Sequence, residues 1–510
     1  MSAPVRRHRI ELRLRLLLGV LAIACVASVT AIEVPSASAA SASPTVASPT
    51  VASAASTEFS LSPGNIRAAY SLPKTGARHQ TIAVVSPMDD PSVAADLNAY
   101  TKRFGIPSCT EANHCFTERN QDGAASPLPP ADTSGVWLTE SSVGVEVARG
   151  ICQSCSIMLV EARSPSKFDV STAVATAARL GATVVETAYE DAPAPDDDTQ
   201  FGSDYSHPGT VVVSASGDAG YTSEVFFPAS MPSVIAVGGT HLDLTSGGQY
   251  KDEFVWGATT TGCSPYDDAL TWQRPFAASV GCGSKRAVAD LAAVADPGML
   301  VHVQDVGAPC GNVFCEAGGT SVSAPIIAGI VGLAGSLGSN ESKLIYAHGR
   351  SEHHVFRDVT TGVVEGCQSA PVCRVRRGFD GPTGFGTPYG LAALLASGGA
   401  LDPHHPELGV TGKNGRLRTS ARWVTPVGVQ NRNPFALSGT VTLRYGRRTL
   451  ASTRVTLGPL ASTTLSVKIA SRHRTLLASL GAVRVQVVAT IRGPAGRSVK
   501  VTKSLTLHAP

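Results

Sequence analysis

Charged residues are scarce in this chain: Asp, Glu, Lys and Arg make up 16% of its 510 residues, whereas hydrophobic residues make up 43%. This balance excludes an intrinsically disordered or fibrous chain. Long hydrophobic runs are also scarce, because only residues 16–32 approach the length of a membrane span. The length of the chain favours two or three domains.

The formal net charge of +3 hides two regions of opposite sign. Residues 401–510 hold 17 Lys and Arg against 2 Asp and Glu, whereas residues 41–400 hold 20 against 35. An acidic body, of net charge −15, is therefore joined to a basic tail of net charge +15. No single electrostatic argument about partners applies to the whole chain.

The N-terminus is typical of a secretory signal. Five arginines precede the apolar run, and Ala37-Ser38-Ala39 has the small residues of a cleavage site. We therefore predict a signal peptide at 1–39 and a secreted, extracellular protein. The apolar run is slightly long for a cleaved signal, so an uncleaved membrane anchor is the alternative.

Ten of the eleven cysteines lie after the predicted signal and form pairs of near neighbours. An even number of cysteines in an exported chain predicts local disulfides. Cys152 and Cys155 could instead form a zinc or redox motif, but no second Cys-x-x-Cys completes a four-thiolate zinc site. The pairs are Cys109/Cys115, Cys152/Cys155, Cys263/Cys282, Cys310/Cys315 and Cys367/Cys373.

Three segments of different character follow the signal. Residues 40–57 contain only small and apolar residues and proline, which predicts a flexible linker. In residues 58–400, apolar strands alternate with helices, a pattern that predicts an α/β fold with a mostly parallel sheet covered on both faces. Residues 401–510 change to short alternating strands separated by turns, which predicts a basic β-sandwich of immunoglobulin or fibronectin type III style.

The basic residues of the tail fall mostly at outward positions of its predicted strands. They form either a solvated face or a surface that binds anionic cell-wall or surface polymer. We expect no nucleic-acid partner.

A candidate nucleophile lies in Gly318-Gly-Thr-Ser-Val-Ser-Ala-Pro325, which precedes an apolar helix predicted at 326–333. The small residues let the backbone turn sharply and let a substrate approach. Ser321 would lie near a helix N-terminus, where backbone N–H groups favour developing negative charge. We expect Pro325 in the first turn, where proline is tolerated. The alternative is a tight turn with an ordinary capping serine.

A serine nucleophile needs a base. The glycine-rich serine motif is similar to that of the subtilisin-like fold, in which the base is a histidine in a His-Gly-Thr type of motif. No histidine of this chain stands in such a motif, so another base is required.

A series of segments in the expected order resembles the sedolisin family, the serine-carboxyl peptidases, over about residues 60–398. The segments are LSPGNIRAAYSLP, the strand ending in MDDP, ICQSC before IMLVEA, HPGTVVVSASGDAGY, FPASMPSVIAVGGT, GGTSVSAP, and FRDVTTG with GFDGPTGFGTP. The resemblance implies a subtilisin-like fold with a seven-stranded, mostly parallel sheet between helices. It also implies a secreted serine endopeptidase that hydrolyses peptide bonds of protein or peptide substrates at acidic pH.

The resemblance assigns the base to Glu140 and places an aspartate four residues later, on the same helix face. That position is Gly144, so either a water fills the space or Glu140 acts alone. Asp218, in Ser-Gly-Asp, matches the residue that donates a hydrogen bond to the oxyanion. Asp218 must be protonated and Glu140 ionised, which predicts an acidic optimum.

Two other positions depart from the family. Relatives often have an acidic residue where this chain has Ser86, and a Ser-x-Ser-Tyr/Trp-Gly segment where it has Glu186-Thr-Ala-Tyr-Glu190. The chain is therefore a serine peptidase with Ser321, Glu140 and Asp218 as catalytic residues, or a catalytically impaired relative that acts as an extracellular binding or adhesion protein.

The resemblance also implies one calcium site. Its ligands would be the side chains of Asp358 and Asp380 and the carbonyls of Val359, Arg376 and Gly378, because hard oxygen ligands suit Ca²⁺. The alternative is a pair of turn aspartates in a loop bounded by a disulfide.

Overall fold

The structure is a computed structural model that describes most of the chain after residue 59. The described residues are 51–52, 60–77, 79–304, 313–335, 341–351, 355–394, 408–412, 415–431, 437–457, 462–492 and 498–510. The predicted signal peptide, most of the predicted linker and Cys310 lie outside them. Among the described helices, none is both long enough and apolar enough to cross a membrane.

The region up to residue 394 alternates strands and helices. Its strands are β1 (Val51–Ala52), β2 (Thr81–Pro87), β3 (Phe116–Asn120), β4 (Ser156–Ala162), β5 (Val184–Thr187), β6 (Val211–Ala215), β7 (Ile235–Leu244), β8 (Tyr250–Val255), β9 (Gly262–Asp268), β10 (Lys285–Val288), β11 (Leu291–Asp296), β12 (Met299–Val303), β13 (Val313–Ala317), β14 (Phe356–Arg357) and β15 (Thr387–Pro388). Its helices are α1 (Pro63–Ala69), α2 (Val93–Phe104), α3 (Val136–Ile151), α4 (Lys167–Arg179), α5 (Asp197–Phe201), α6 (Arg274–Ser279), α7 (Thr320–Ala334) and α8 (Glu341–Ser351).

The central sheet has the strand order β11-β7-β6-β5-β2-β4-β3. All neighbours along this path are parallel, and β8 adds an antiparallel pairing to β7. The predicted parallel sheet flanked by helices is confirmed. β1, inside the segment predicted as linker, pairs antiparallel with β13.

Strand β2 shows how the sheet is buried on both faces. Ile82 and Val84 belong to the apolar cluster that includes residues of α3 and α7. Ala83 and Val85 belong to a second cluster, which includes residues of α4. Because side chains alternate along a strand, a continuous apolar run is what burial on both faces requires. Helices α3 and α7 therefore share one face of the sheet.

Helix α7 begins at Thr320, six residues before its predicted start. Gly319, with φ of 95°, adopts a conformation that favours glycine and directs the chain into the helix. Pro325 is therefore the sixth residue of α7, and the expectation of a first-turn proline is wrong. Pro325 has no N–H to donate within the helix.

Four of the five predicted disulfides are confirmed: Cys109–Cys115, Cys152–Cys155, Cys263–Cys282 and Cys367–Cys373. The bond at Cys152–Cys155 argues against the alternative zinc site at these two residues. The predicted Cys310–Cys315 pair lies outside the described residues, because Cys310 does.

The region from residue 408 is rich in β-strands, as predicted. Its elements are β16 (Leu408–Thr411), β17 (Arg416–Arg418), β18 (Val424–Asn431), β19 (Leu437–Tyr445), β20 (Arg448–Leu457), β21 (Ser462–Lys468), α9 (Arg474–Leu480), β22 (Ala482–Arg492) and β23 (Ser498–His508). They form a three-stranded sheet, β16-β18-β21, and a mixed five-stranded sheet, β17-β23-β22-β19-β20.

One apolar cluster joins the two sheets of this C-terminal region. It includes Val427 and Val467 of the smaller sheet and Val441 and Val485 of the larger. The alternating burial along β18 and β22 is the pattern of strands with one buried face. The similarity to immunoglobulin or fibronectin type III domains stays a prediction.

Candidate active site

Helices α3 and α7 place a serine hydroxyl against a carboxylate. Ser321, the second residue of α7, donates a hydrogen bond from Oγ to Oε1 of Glu140, the fifth residue of α3, at 3.1 Å. Ser321 is 1% exposed and Glu140 is 4% exposed. A buried carboxylate in contact with a serine hydroxyl is a candidate general base for that serine.

Glu140 lies among other acids. Burial raises the pKa of Glu140 well above its ordinary value, the hydrogen bond from Ser321 lowers it, and the nearby carboxyl groups of Glu186, Asp218 and Glu190 raise it. The raised pKa means that this environment disfavours the ionised form of Glu140. A group that favours the ionised form of Glu140 would therefore increase the active fraction.

Asp218, in the loop after β6, contacts the start of α7. Its Oδ1 accepts hydrogen bonds from the backbone N–H and the hydroxyl of Thr320, at 2.9 and 2.8 Å. Its Oδ2 is buried without a partner among the described residues. A Cβ at Gly319 would lie 2.3 Å from Oδ2, so a glycine is required at this close approach.

The protonation of Asp218 decides what its free oxygen can do. Burial raises the pKa of Asp218 to about 6, while the two hydrogen bonds from Thr320 lower it. Below that pH the carboxyl group is mostly protonated and can donate from its free oxygen. A neutral carboxylic acid beside the serine is a suitable donor for an oxyanion.

The structure shows what surrounds Gly144. A Cβ at this position would lie 2.6 Å from Val84 Cγ1 and 3.0 Å from Glu186 Oε2. A side chain longer than glycine therefore requires both neighbours to move. Sequence reasoning identified the Glu186 segment only as a departure from the family, although an acidic residue within the apolar strand β5 was a signal of a special role.

A small cavity of about 10 Å³ connects these groups, and its volume suits about one water molecule. Ser86, Glu140, Gly144, Glu186 and Ser321 all line it. Three buried oxygens have no partner among the described residues: Ser86 Oγ, Glu140 Oε2 and Glu186 Oε1. The departures at 86, 144 and 186 thus meet in one place.

Two histidines of the described chain have carboxylate partners, and none of these partners is an acid that surrounds Glu140. His241 contacts Asp296, and His302 Nδ1 lies 2.8 Å from Asp96. These contacts do not include Ser321, which faces Glu140.

The predicted calcium ligands lie in one loop. The backbone N–H of Gly378 donates to Asp358 Oδ2 at 2.8 Å, and that of Arg376 donates to Asp380 Oδ2 at 3.0 Å. Val359 follows Asp358 directly. Burial raises the pKa of Asp380 to about 7, backbone and hydroxyl donors lower it, and the charge of Asp358 raises it.

The oxygen atoms of this loop are of the type that calcium prefers. Two carboxylates that repel each other gain from a cation between them, and the remaining donors would be carbonyl oxygens. The side chain of Arg376 is engaged elsewhere, since Nε donates to the carbonyl of Phe379 and Nη2 to Ser279 Oγ. Arg376 could then contribute its carbonyl without directing its charge at the ion.

Comparisons with known proteins agree with this architecture. A model of the subtilase family matches residues 132–347, which include Glu140, Asp218 and Ser321. Kumamolisin of Bacillus sp. (strain MN-32) is 34% identical in an alignment of 216 residues, and the match covers 38% of this chain and 38% of kumamolisin. Sedolisin of Pseudomonas sp. (strain 101) is 31% identical in an alignment of 182 residues, and the match covers 33% of this chain and 29% of sedolisin.

A solved structure shows the same fold. Pseudomonas sedolisin, a serine-carboxyl proteinase complexed with two molecules of pseudo-iodotyrostatin, has a TM-score of 0.55 and 22% identity, over 64% of this chain and 95% of that chain. The matched part spans less than two fifths of the length of either curated relative.

Proposed function

We propose that this chain, which has the subtilase fold and is a homologue of the serine-carboxyl peptidases, is a secreted serine endopeptidase that acts at acidic pH. The observation that carries the proposal is the hydrogen bond from Ser321 Oγ to Glu140 Oε1, at 3.1 Å and at the N-terminus of α7. The substrates are proteins or peptides.

In the proposed mechanism, Ser321 Oγ attacks the carbonyl carbon of the scissile peptide bond and Glu140 accepts the serine proton. Asp218 donates a hydrogen bond to the oxyanion of the tetrahedral intermediate. Glu140 then gives the proton to the leaving amine as the C–N bond breaks. A water molecule, deprotonated by Glu140, hydrolyses the acyl-enzyme and restores Ser321.

The pKa values set the expected pH range. Asp218 must be protonated, and since its pKa is about 6, the rate should fall above that pH. Glu140 must be ionised, and its raised pKa makes the rate fall again toward low pH. The proposed acidic optimum therefore rests on Asp218, whose protonated form is favoured below about pH 6.

The decisive assay measures hydrolysis of a denatured protein between pH 3 and 7, with Ser321→Ala as the control. We expect cleavage by the wild-type protein and only background from the variant. Equal background from both would contradict the proposal and favour the alternative, a catalytically impaired peptidase that serves as a binding or adhesion protein.

The C-terminal region supports a second proposal, binding to anionic cell-wall or surface polymer. Its described part contains no Asp or Glu, and the strand register places Arg416, Arg454, Arg484 and Lys500 on one exposed face of the five-stranded sheet. The exposed basic residues of this region are Arg416, Arg418, Arg422, Arg447, Arg448, Arg454, Lys468, Arg472, Arg484, Arg492, Lys500 and Lys503.

For the calcium site, we propose Asp358 and Asp380 with the carbonyls of Val359, Arg376 and Gly378 as ligands. Bound calcium would fix this loop, which lies near the C-terminal end of the proposed peptidase region, residues 60–394. Saturation at 100 times Kd stabilises a protein by about 2.7 kcal/mol, so chelation should lower the melting temperature by several degrees. Asp358→Asn should abolish the response to calcium, and an unchanged response would contradict the site.

A further inference from the structure

Glu140 is fixed at only one of its two carboxylate oxygens. Oε1 accepts the hydrogen bond from Ser321, whereas Oε2 is buried and has no partner among the described residues. A base must keep its orientation toward the nucleophile and must be stabilised in its ionised form. A donor to Oε2 would meet both requirements.

Glu186 lies where such a donor is needed. Register pairs Glu186 on β5 with Val84 on β2, whose side chain belongs to the apolar cluster shared with α3 and α7. Glu186 Oε2 lies 3.0 Å from the place where a Cβ at Gly144 would stand, one helical turn after Glu140. Its Oε1 is buried and has no partner among the described residues, and the side chain lines the same small cavity as Glu140 and Ser321.

The chemistry of Glu186 suits donation. Burial raises the pKa of Glu186 to about 8, so the group is a neutral carboxylic acid at acidic pH. A neutral acid carries an O–H that can donate to a carboxylate, directly or through one water molecule in a cavity of about 10 Å³. Such a charge-assisted hydrogen bond favours the ionised form of Glu140.

We propose that Glu186 is the positioning residue of the site: through one water molecule in the small cavity it donates a hydrogen bond to Glu140 Oε2, and so performs, from strand β5, the task that the resemblance assigns to an aspartate at position 144. The inference rests on the proposed peptidase function. It also explains the glycine, because Val84 and Glu186 occupy the space that any side chain at 144 would take.

The first experiment compares Glu186→Leu with Glu186→Gln in the full-length protein. Leu fills similar space but cannot donate, whereas the Gln amide donates at every pH. We expect Glu186→Leu to lower kcat by about 100-fold or more with KM little changed. We expect Glu186→Gln to stay within about tenfold of the wild type, because it retains a donor.

The pH profile separates this role from a merely structural one. The groups that face Glu140 are Glu186, Glu190, Asp218 and Ser321. At acidic pH Glu186 is neutral and does not repel Glu140, so the loss of its donor raises the pKa of Glu140 there. The acid limb of kcat/KM should therefore move to higher pH in Glu186→Leu and not in Glu186→Gln. A structural defect would reduce the amount of active enzyme and leave the acid limb where it was.

A triple variant tests whether a carboxyl group on helix α3 can replace that of Glu186. Val84→Ala with Gly144→Asp and Glu186→Ser returns the carboxyl group to the helix and removes the two neighbours that block it. We expect the triple variant to be at least tenfold more active than Val84→Ala with Glu186→Ser, its matched control. Gly144→Asp alone should lower activity, because it displaces Glu186.

The outcomes distinguish the two proposals. If the wild type hydrolyses protein while Glu186→Leu keeps its kcat and acid limb, the role of Glu186 is overturned and the peptidase function stands. If the wild type neither hydrolyses protein nor reacts at Ser321 with a fluorophosphonate, both proposals fall. If Ser321 of the wild type reacts with the fluorophosphonate but no turnover is seen, the rate of labelling of Ser321 is compared between Glu186→Leu and Glu186→Gln. Equal rates in the two variants would overturn the positioning role of Glu186.

Discussion

The proposed peptidase region, residues 60–394, and the C-terminal region, residues 408–510, use charge in opposite ways. In the first, carboxyl groups such as Glu140, Glu186 and Glu190 are buried, and burial raises their pKa values. In the second, arginines and lysines stand on exposed faces of strands with apolar inner faces. Burial shifts the pKa values of ionisable groups and so changes their protonation, whereas exposed charged groups act mainly through the electrostatic field of the surface.

The largest effect that would test this contrast is the loss of the buried base. We expect Glu140→Gln and Ser321→Ala each to lower kcat by about three orders of magnitude or more, because the two side chains act as one unit. The double variant should be hardly worse than either single variant. Steady-state kinetics on a peptide substrate measures this, and additive losses would contradict the shared role.

The exposed charges should instead contribute to binding and leave catalysis unchanged. Arg454→Ser, Arg484→Ser and Lys500→Ser together remove three charges from one sheet face. At about 1 kcal/mol each, their loss should weaken binding to immobilised wall teichoic acid by about 100-fold at low salt. Peptidase activity should stay the same.

The matched control for this surface removes three exposed charges from the acidic body: Lys74→Ser, Lys102→Ser and Lys251→Ser. It changes the total charge equally, so a similar loss of binding would show that net charge, and not the face of the sheet, carries the interaction. High salt should reduce the binding of the wild type.

A substitution at Asp218 tests how the protonation of a buried carboxyl group controls the rate. Asp218→Asn replaces a group with a pKa of about 6 by an amide that donates at every pH. The alkaline limb of kcat/KM should therefore move to higher pH. At pH 7 the variant should keep a larger fraction of its own optimal rate than the wild type keeps of its own. An unchanged limb would show that Asp218 does not control the fall in rate.

Sequence reasoning reached the fold because two patterns were strong. Apolar runs such as 81–85 and 157–160 suit a parallel sheet covered on both faces, and the near-neighbour cysteines predicted the four disulfides that the described residues contain. Helix α3 could be recognised in the same way, since Val143, Val147 and Ile151 recur at helical spacing. The start of α7 was missed because Pro325 suggested a first turn, and the close approach to Asp218 that requires Gly319 is a tertiary contact.

The site was only partly predictable, because local motifs mark some of its residues and packing alone reveals the others. Ser321, Glu140 and Asp218 stand in local motifs, so their identities could be proposed from the chain alone. Glu186 acquires its relation to Glu140 only when β5 is placed beside β2 and under α3. A glycine where an acid was expected indicates a missing group, but only the packing shows which side chain takes its space.

The smallest expected effect concerns stability and compares the two regions directly. Burial raises the pKa values of Glu186 and Glu190 to about 8 and about 9, against about 4.3 in an unfolded chain. The folded peptidase region therefore binds more protons than the unfolded one between these limits. The contribution of these two groups to the free energy of unfolding is fully present below about pH 4.3, and it declines as the pH rises toward 8 and 9. The described C-terminal region has no Asp or Glu and lacks this contribution.

Thermal unfolding followed by hydrogen exchange at pH 4 and pH 8 measures both regions in one chain. The melting temperature of the peptidase region should fall by several degrees over this range, and that of the C-terminal region should change less. Glu186→Gln should raise the melting temperature of the peptidase region relative to the wild type at pH 8 but not at pH 4, because only the ionised form of Glu186 is costly to bury. Equal effects at both pH values would mean that the variant acts through packing, and the contrast between buried and exposed charge would lose its thermodynamic basis.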